Sequence, residues 1–346
     1  MDSYEIIQQI DKHEHRIALL KNKLSKIIKL DIPMEVYTQD ITDDWSIYHG
    51  DCVQVVSNLP DDSIHYSIFS PPFLSLYVYS DNPMDMGNSK TDDEFYDHFS
   101  YLIPQLLRVL MPGRLVSVHC SIIPTTMQHE GVMGLKDFPG QIVKMFTQAG
   151  FIYHSKVVIW KDPLIQAVRT KMLSLAHKQI SKDSSRCAQG FSDEILTFRK
   201  PGINPEPVAK GRGFEEYIGE HQEPQREKID DPAKNKYSHF VWQRYASPVW
   251  MDIKQTDTLN IAAGRDDKDE RHICPLQLQT IARCIELWTN KGDIVLSPFA
   301  GIGSEGFEAI KMSRRFVGVE LKQSYYNTML NNLKRAKRTG KGLING

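Results

Sequence analysis

Hydrophobic residues in the first thirty positions repeat at helical spacing. Apolar side chains recur three or four positions apart between Ile6 and Ile27, and His13 alone interrupts the repeat. An apolar repeat of this kind, typical of a coiled-coil seam, predicts one amphipathic helix over residues 1–32. Such a helix either joins two chains into a homodimer or packs on the rest of its own chain, and the pattern leaves both interpretations open.

After Pro33 the pattern changes to short β-branched and aromatic runs that alternate with helical periods. One of these periods runs from Phe95 to Leu110 and follows Thr91 and Glu94, a capping-box pair. The alternation predicts an α/β fold with helices on both faces of a mixed sheet. Seven strands are expected, over residues 45–49, 65–69, 114–119, 151–160, 194–198, 293–296 and 316–319.

Between residues 201 and 270 the regular pattern is lost. Prolines, mixed charges and scattered aromatic residues such as Trp242 and Trp250 replace it. We interpret this stretch as a loop-rich insertion that separates two halves of one domain, residues 33–200 and 271–346.

The composition is that of an ordinary globular chain, with 41% hydrophobic and 25% charged residues in 346. A net charge of −1 neither demands nor forbids a polyanionic partner. No apolar run reaches the length of a membrane span, and Asp2 and Glu5 stand where a secretory signal carries positive charge, so an intracellular protein is expected. The five cysteines lack C-x-x-C spacing, and we expect neither disulfides nor a metal site.

A glycine-rich turn follows a predicted strand near the end of the chain. Gly301 and Gly303 let the backbone approach a ligand closely, and the helix that follows offers free N–H groups. Glu320 ends the next strand, where a carboxylate can accept hydrogen bonds from a ribose. The turn predicts a nucleotide cofactor, and a tight turn beside a surface glutamate is the alternative. Only 26 residues follow Glu320, so the remaining strands must come earlier and the sheet is expected to be circularly permuted.

Residues 70–73, Ser-Pro-Pro-Phe, end another predicted strand. Two consecutive prolines fix the backbone and lack N–H donors, which leaves a rigid rim of carbonyl acceptors. Ser70 Oγ and the Pro71 carbonyl could accept hydrogen bonds from the amino group of a nucleobase, with Phe73 stacked on the base. A proline turn with Phe73 in the core is the alternative interpretation.

Together these segments resemble the amino-group DNA methyltransferases that use S-adenosylmethionine, in the permuted arrangement where the catalytic motif precedes the cofactor motif. Residues 70–73 match the S/D/N-P-P-Y/F catalytic motif. Residues 297–303 resemble the D-P-F-x-G-x-G cofactor motif, with Ser297 in place of the acid. The resemblance implies a Rossmann-like methyltransferase fold with a target-recognition region at residues 201–270.

The resemblance also assigns roles to individual residues. Asp51 takes the place of an acid that contacts the cofactor's adenine, Glu320 that of the ribose-binding acid, and residues 272–275 line the methionine end. The catalytic residues it implies are Ser70, Pro71, Pro72 and Phe73. The cofactor-binding residues it implies are Asp51, His272, Pro275, Ser297, Phe299, Ala300, Gly301, Gly303 and Glu320.

The implied partner is double-stranded DNA, from which the target base must be flipped before transfer. A serine at the head of the catalytic motif is more typical of cytosine-N4 enzymes than of adenine-N6 enzymes, so cytosine N4 is favoured. The candidate phosphate contacts are Arg169, Lys171, Lys178, Lys182 and Arg186, with residues 210–212 as a second group, and a solvated surface charge is the alternative for each. No role is assigned to His119 or Cys120. The expected location is the cytoplasm of a bacterial or phage-infected cell.

Two other classes of protein could use parts of this pattern. A nicotinamide-dependent oxidoreductase would use the same glycine turn but leaves the Ser-Pro-Pro-Phe segment unexplained. A non-catalytic DNA-binding module would bind duplex DNA without transferring a methyl group. Residues 74–90 are expected to form a long loop beside the site, either as a lid over the flipped base or as a plain surface loop.

Overall fold

The computed structural model describes residues 36–74, 84–125, 130–170, 175–211, 213–226, 231, 233–259 and 276–342. The N-terminal helix predicted over residues 1–32, most of the loop predicted over residues 74–90, and the predicted cofactor residues His272 and Pro275 lie outside these ranges. Within the described part of the chain, no helix is long and apolar enough to span a bilayer.

The strands and helices follow the alternation expected from the sequence. The strands are β1 (Thr38–Ile41), β2 (Trp45–His49), β3 (Ile64–Phe69), β4 (Leu110–Ser121), β5 (Ile123–Pro124), β6 (Leu135–Lys136), β7 (Ile152–Ile159), β8 (Asp193–Arg199), β9 (Val249–Trp250), β10 (Ile294–Ser297) and β11 (Arg315–Glu320). The helices are α1 (Cys52–Asn58), α2 (Asp92–Val109), α3 (Phe138–Gln148), α4 (Pro163–Thr170), α5 (Lys236–Tyr245), α6 (Leu278–Trp288), α7 (Ser304–Lys311) and α8 (Gln323–Gly342).

The main sheet of the described residues has nine strands in the order β1-β2-β11-β10-β3-β4-β8-β7-β9. All seven predicted strands lie in its centre, but the prediction of a seven-stranded sheet is wrong by two short edge strands. β1 pairs with β2 and β9 pairs with β7. β1 is mostly polar (Thr-Gln-Asp-Ile) and β9 has only two residues, so neither shows the apolar run or the alternation by which a strand is recognised in a sequence.

The strand directions bring many chain segments to one edge of this sheet. β2, β11, β10, β3 and β4 run parallel to one another, so their carboxyl ends share an edge. β8 runs antiparallel to both β4 and β7, which places the amino end of β8 at the same edge. In α/β sheets ligands bind beyond the carboxyl ends of the strands, so this edge is where a site is expected.

Helices cover both faces of the sheet and bury its central strands. One apolar cluster joins the sheet to α1, α2 and α3 through Val55, Leu102 and Ile142, among others. A second cluster joins the opposite face to α6, α7 and α8, where Ile281 and Phe307 are buried. Burial on both faces explains why strands such as β3 and β10 read as nearly continuous apolar runs.

The stretch predicted to be loop-rich contains a helix, an edge strand and an aromatic cluster of its own. Tyr217, Tyr237, Val241 and Tyr245 form the centre of that cluster. The buried guanidinium of Arg283 in α6 lies 4.8 Å from the Tyr245 ring and 4.7 Å from the Trp250 ring. Its Nη2 is 2.8 Å from Asp252 Oδ2. Aromatic contacts and a buried ion pair therefore anchor this region on the main domain.

A buried ionic cluster ties three strands together at the opposite edge of the sheet. Among the described residues, a ring nitrogen of His65 and carboxylate oxygens of Glu206 and Asp293 lie within 4.8 Å of one another. Atoms of these types can bind a metal ion. His65 Nδ1 accepts the Ile294 N–H at 3.1 Å, so its Nε2 carries the hydrogen that faces the two carboxylates. Arg114 pairs with Asp293. Since arginine already supplies the positive charge, we assign this cluster to structure.

Candidate active site

Parallel pairing of β3 with β10 brings the two motifs of the sequence together. Leu296 is aligned with Ser67, whose Oγ donates a hydrogen bond to the Leu296 carbonyl at 3.0 Å. Just beyond, the rings of Phe69 and Phe299 lie 5.7 Å apart between centroids. Residues 70–73 and 297–303 therefore leave neighbouring strands at one edge, although more than half of the chain separates them in sequence.

The glycine turn has one face packed on a helix and one face open. Gly303 has a φ of +86°, and a Cβ there would lie 2.8 Å from Met329 Cγ of α8. Gly301 has a φ of +53°, and a Cβ there would meet no atom of the described residues within 4 Å. Both glycines are required for the left-handed conformation, and Gly303 also for its close approach to α8. The space over Gly301 is left for a ligand.

Glu320 lies across this turn, as predicted. Its Oε2 accepts the Gly301 N–H and its Oε1 accepts the Lys322 N–H, each at 2.8 Å. Burial raises the pKa of Glu320 to about 7, against the opposing effect of these backbone donors. The carboxyl group is thereby fixed at the carboxyl end of β11 beside the open face of the turn.

A second buried acid, Glu305, lies in the first turn of α7 and was not singled out in the sequence. It is 4% exposed. Burial raises its pKa to about 8, and the nearby charge of Glu320 acts in the same direction. The hydroxyl of Ser297, buried at the end of β10, has no hydrogen-bond partner among the residues that the structure describes. A glutamate in the first turn after a glycine motif is the signal that could have identified Glu305.

Asp51 and Ala300 complete the part of the edge that the sequence assigned to the cofactor. Asp51 is the N-cap of α1, and its Oδ1 accepts the Gln54 N–H at 2.8 Å. Burial raises the pKa of Asp51. Ala300 is buried, and its N–H donates to the Val319 carbonyl at 2.9 Å. Asp51 thus has a capping role that the sequence analysis did not anticipate, and its contact with adenine remains a prediction.

Ser70 is the first member of a row of polar side chains along the other half of the edge. Ser70 Oγ lies 3.0 Å from His119 Nδ1, and His119 Nε2 lies 3.0 Å from Asp193 Oδ2. Lys161 Nζ lies 2.5 Å from the same carboxylate oxygen. Burial alone would raise the pKa of Asp193, but His119 and Lys161 outweigh it and lower that pKa to about 2.

Only Ser70 of these four residues is a predicted site residue. The sequence assigns no role to His119 and does not single out Asp193 or Lys161. Each lies at a strand end on the carboxyl edge: His119 near the end of β4, Asp193 at the start of β8 and Lys161 just after β7. Polar residues at predicted strand ends were the available signal, but the antiparallel direction of β8 was needed to bring Asp193 to this edge.

Phe73 lies between the apolar cluster and the polar row. Its ring centroid is 6.1 Å from that of His119 and 5.7 Å from that of Phe138, which meets it edge-on. Pro71 is buried, whereas Pro72 and Phe73 are half-buried. Leu74 follows with a φ of +55°, an unusual conformation for a residue with a side chain. The backbone thus turns sharply after Phe73 and leaves part of its ring surface accessible.

The strand order, the open glycine turn and the serine–proline edge define a Rossmann-like methyltransferase that uses S-adenosylmethionine. The comparison with known families agrees. A family model for N6/N4 DNA methylases, described as DNA methylase, matches residues 64–331, and the chain belongs to this family. Family membership decides against the nicotinamide-dependent oxidoreductase and the non-catalytic DNA-binding module considered above.

Similar proteins cover most of the chain at low identity. Type II methyltransferase M.MjaI of Methanocaldococcus jannaschii is 22% identical over 319 residues, which is 82% of this chain and 89% of that protein. DNA adenine methyltransferase YhdJ of Escherichia coli is 37% identical over 103 residues, 30% of this chain and 33% of that protein. The PvuII DNA methyltransferase, cytosine-N4-specific, superposes with a TM-score of 0.55 at 15% identity, covering 88% of this chain and 93% of the other. The latter likeness shows the fold.

The residues of the cofactor half fit S-adenosylmethionine, whose methyl group is electrophilic because it is bonded to a sulfonium. The cofactor carries a net positive charge, and the buried carboxyl groups of Glu305 and Glu320 lie at the glycine turn with no arginine or lysine paired to either in the described structure. Within the described part of the chain, the space over Gly301 is open and the Ser297 hydroxyl has no partner, and both features agree with a bound cofactor. The enzyme is an S-adenosylmethionine-dependent methyltransferase that acts on DNA.

Proposed function

We propose that the enzyme transfers the methyl group to the exocyclic N4 of a cytosine flipped out of double-stranded DNA, at a specific sequence. The observation that carries this proposal is the serine at the head of the catalytic motif, with Ser70 Oγ fixed 3.0 Å from His119 at the edge beside the glycine turn. Within the resemblance stated above, serine at this position is more typical of cytosine-N4 enzymes.

The main-chain and side-chain acceptors of residues 70–73 would orient the amino group of the base. That amino group is a weak nucleophile because its lone pair is delocalised into the ring. Ser70 Oγ and the Pro71 carbonyl would each accept one of its N–H groups and so direct the lone pair toward the methyl group. Pro71 and Pro72 have no N–H of their own, so this rim presents acceptors to the base.

Positioning supplies most of the catalysis in this proposal. Holding two reactants in attack geometry contributes up to about 7–11 kcal/mol to a bimolecular reaction. The half-buried ring of Phe73, set by its contacts with His119 and Phe138, would stack on the flipped base. Aromatic stacking of this kind contributes about 1–3 kcal/mol per base.

The cofactor half of the edge would hold S-adenosylmethionine. We propose that Glu320 binds the ribose, that Asp51 and Phe299 contact the adenine, and that the backbone of the glycine turn faces the methionine part. Its remaining proposed contacts are Ser297, Ala300, Gly301 and Gly303, together with His272 and Pro275 outside the described residues.

The duplex would lie along the carboxyl edge. Lys178, Lys182 and Arg186 are exposed in the connection between β7 and β8, which begins and ends at this edge, and we propose that they contact phosphates. Residues 201–270 would carry target recognition. The helix over residues 1–32 would mediate a homodimer, and action on cellular DNA would place the enzyme in the cytoplasm of a bacterial or phage-infected cell.

Adenine N6 is the second candidate target. The 37% identity to DNA adenine methyltransferase YhdJ over 103 residues favours it. A motif headed by aspartate or asparagine is more typical of adenine-N6 enzymes, however, and position 70 is serine. Cytosine N4 therefore remains the proposed target, and N6-methylated adenine is the alternative product that the experiment must detect.

Mass spectrometry of nucleosides tests the proposal. Duplex DNA that represents many sequences is incubated with the enzyme and S-adenosylmethionine, digested to nucleosides and compared with DNA incubated without the cofactor. We expect N4-methyldeoxycytidine, which chromatography separates from the C5-methylated isomer. The appearance of N6-methyldeoxyadenosine without N4-methyldeoxycytidine would show that adenine is the target.

A further inference from the structure

We propose that His119 is a positioning residue that accepts the reaction's proton through Ser70, with Asp193 fixing its orientation. This inference rests on the proposed role of Ser70 and extends it to three residues to which no role was given. The row Ser70, His119, Asp193 and Lys161 crosses the ends of β3, β4, β8 and β7, and His119 and Asp193 are 7% and 3% exposed.

The contacts of the imidazole determine which of its nitrogen atoms carries the hydrogen. Asp193 Oδ2 lies 3.0 Å from His119 Nε2, and an ionised carboxylate can only accept. The two atoms are close without the alignment of a hydrogen bond, so the carboxylate acts through its charge and favours the neutral tautomer with the hydrogen on Nε2. Nδ1 then presents its lone pair to Ser70 Oγ at 3.0 Å. The Ser70 hydroxyl then donates to Nδ1, and its oxygen lone pairs are free to accept N–H groups of the base.

Lys161 balances the charge behind the imidazole. Its Nζ contacts the same Asp193 oxygen that His119 faces, so the carboxylate already has one cationic partner while the imidazole is neutral. Among the described residues, Asp193 and Lys161 are the charged groups recorded facing His119. Glu194, the next residue of β8, alternates to the other face and pairs with Lys156 at 3.3 Å.

The proton balance of methyl transfer gives this row its chemical role. The amino nitrogen of the base forms the new N–C bond as the S–C bond of the cofactor breaks, and the nitrogen must then lose one of its two hydrogens as a proton. That proton passes to Ser70 Oγ while the Ser70 hydroxyl proton passes to His119 Nδ1. The resulting imidazolium faces Asp193, and it later releases the proton to solvent, so that the row returns to its starting state.

The protonation state of His119 should therefore control the rate of methyl transfer. An imidazolium has no lone pair for the Ser70 hydroxyl, so activity should fall at the acidic pH at which His119 is protonated. In His119→Asn the side-chain oxygen lies near the position of Nδ1 and can accept from Ser70, but it does not take up a proton. We expect the variant to be slower by on the order of 100-fold, at the lower end of general-base effects, and to lose the acidic limb of the pH profile.

Single-turnover methylation of duplex DNA between about pH 5 and pH 9 tests the proposal. Asp193→Asn removes the negative charge that favours this tautomer and the imidazolium that follows it, and we expect a rate loss comparable to that of His119→Asn. The matched control is His65→Asn. His65 is also buried and also faces carboxylates. It lies on β3, next to the strand of His119, but at the opposite edge of the sheet. We expect His65→Asn to retain the wild-type rate and pH profile.

Calorimetric titration with S-adenosylmethionine verifies that each variant is folded and binds the cofactor. Wild-type rate and pH dependence in a folded His119→Asn would overturn the proposal, and so would a slower rate with the acidic limb retained, since that is the result of a merely structural role. If His119→Asn does not bind the cofactor, Asp193→Asn decides: the proposal requires a slower rate with the acidic limb displaced to lower pH, because the imidazolium has lost its carboxylate, and an unchanged rate or an unmoved limb overturns it. Production of N6-methyldeoxyadenosine by the wild-type enzyme would refute cytosine as the target, and the relay would then be tested on adenine.

Discussion

Replacing Glu305 with glutamine should make the cofactor-free enzyme more stable at alkaline pH. Glu305 is buried in the first turn of α7, and its pKa is raised to about 8 from the ordinary value of 4.5. A carboxyl group with a higher pKa in the fold than in the unfolded chain binds more protons when folded. The contribution of Glu305 to the free energy of unfolding is therefore most favourable when the pH is below the ordinary pKa. It declines as the pH rises toward the pKa in the fold, and it stays constant at higher pH.

The expected magnitude follows from the two pKa values. Ionising Glu305 in the fold is less favourable than in the unfolded chain by about 3–5 kcal/mol once the pH exceeds 8. Glutamine has nearly the same shape and no charge. Glu305→Gln should thus have a free energy of unfolding close to that of the wild type at about pH 5 and several kcal/mol greater at about pH 8.5. Glu320, with a pKa of about 7, titrates in both proteins and largely cancels in the comparison.

Urea denaturation at the two pH values, without cofactor, measures this difference. Addition of S-adenosylmethionine should reverse the order, because the cation stabilises the ionised form of Glu305 in the wild type and has no such partner in the variant. If the free energies of unfolding of the two proteins differed by the same amount at both pH values, the reasoning would be refuted. Such a result would show that Glu305 in the fold does not titrate between the two pH values.

Three further substitutions test the packing of the edge. Gly303→Ala forces a left-handed residue and places a Cβ 2.8 Å from Met329 Cγ, so denaturation should show a loss of about 2–5 kcal/mol. Phe73→Ala should reduce kcat/KM for DNA by the equivalent of about 1–3 kcal/mol with little change in calorimetric cofactor affinity, and unaltered kinetics would exclude stacking on the base. Asp252→Ala leaves the buried Arg283 guanidinium without its carboxylate and should lower the free energy of unfolding by about 3–5 kcal/mol, whereas an unchanged denaturation midpoint would argue against that ion pair.

Local sequence patterns were sufficient to predict the sheet and both motifs. A strand such as β3 shows its apolar run within a few residues, and the proline pair or glycine turn that follows is equally local. Parallel strands of an α/β sheet end at one edge, so the convergence of residues 70–73 with residues 297–303 could also be expected. These features depend on chain direction and periodicity, which a single sequence displays.

The features that the sequence did not reveal are pairings between distant segments. Asp252 and Arg283 look like ordinary surface charges in the sequence, and only the docking of β9 beside β7 buries them together. Likewise, His119 looks like a core residue at the end of β4 until the antiparallel β8 delivers Asp193 to its Nε2. Periodicity indicates that a strand exists, but it does not indicate which neighbour supplies the charge opposite a given side chain.

The charges at this edge divide according to the two halves of the reaction. Glu305 and Glu320 lie on the side proposed for the cofactor and suit a ligand that arrives with a positive charge. His119 lies on the side proposed for the base, where positive charge develops on the amino nitrogen and must leave as a proton. In this proposal, transfer turns the sulfonium into a neutral thioether that the two glutamates would no longer attract. The arrangement that favours binding of the methyl donor would thus weaken binding of the demethylated product, which is the condition for turnover.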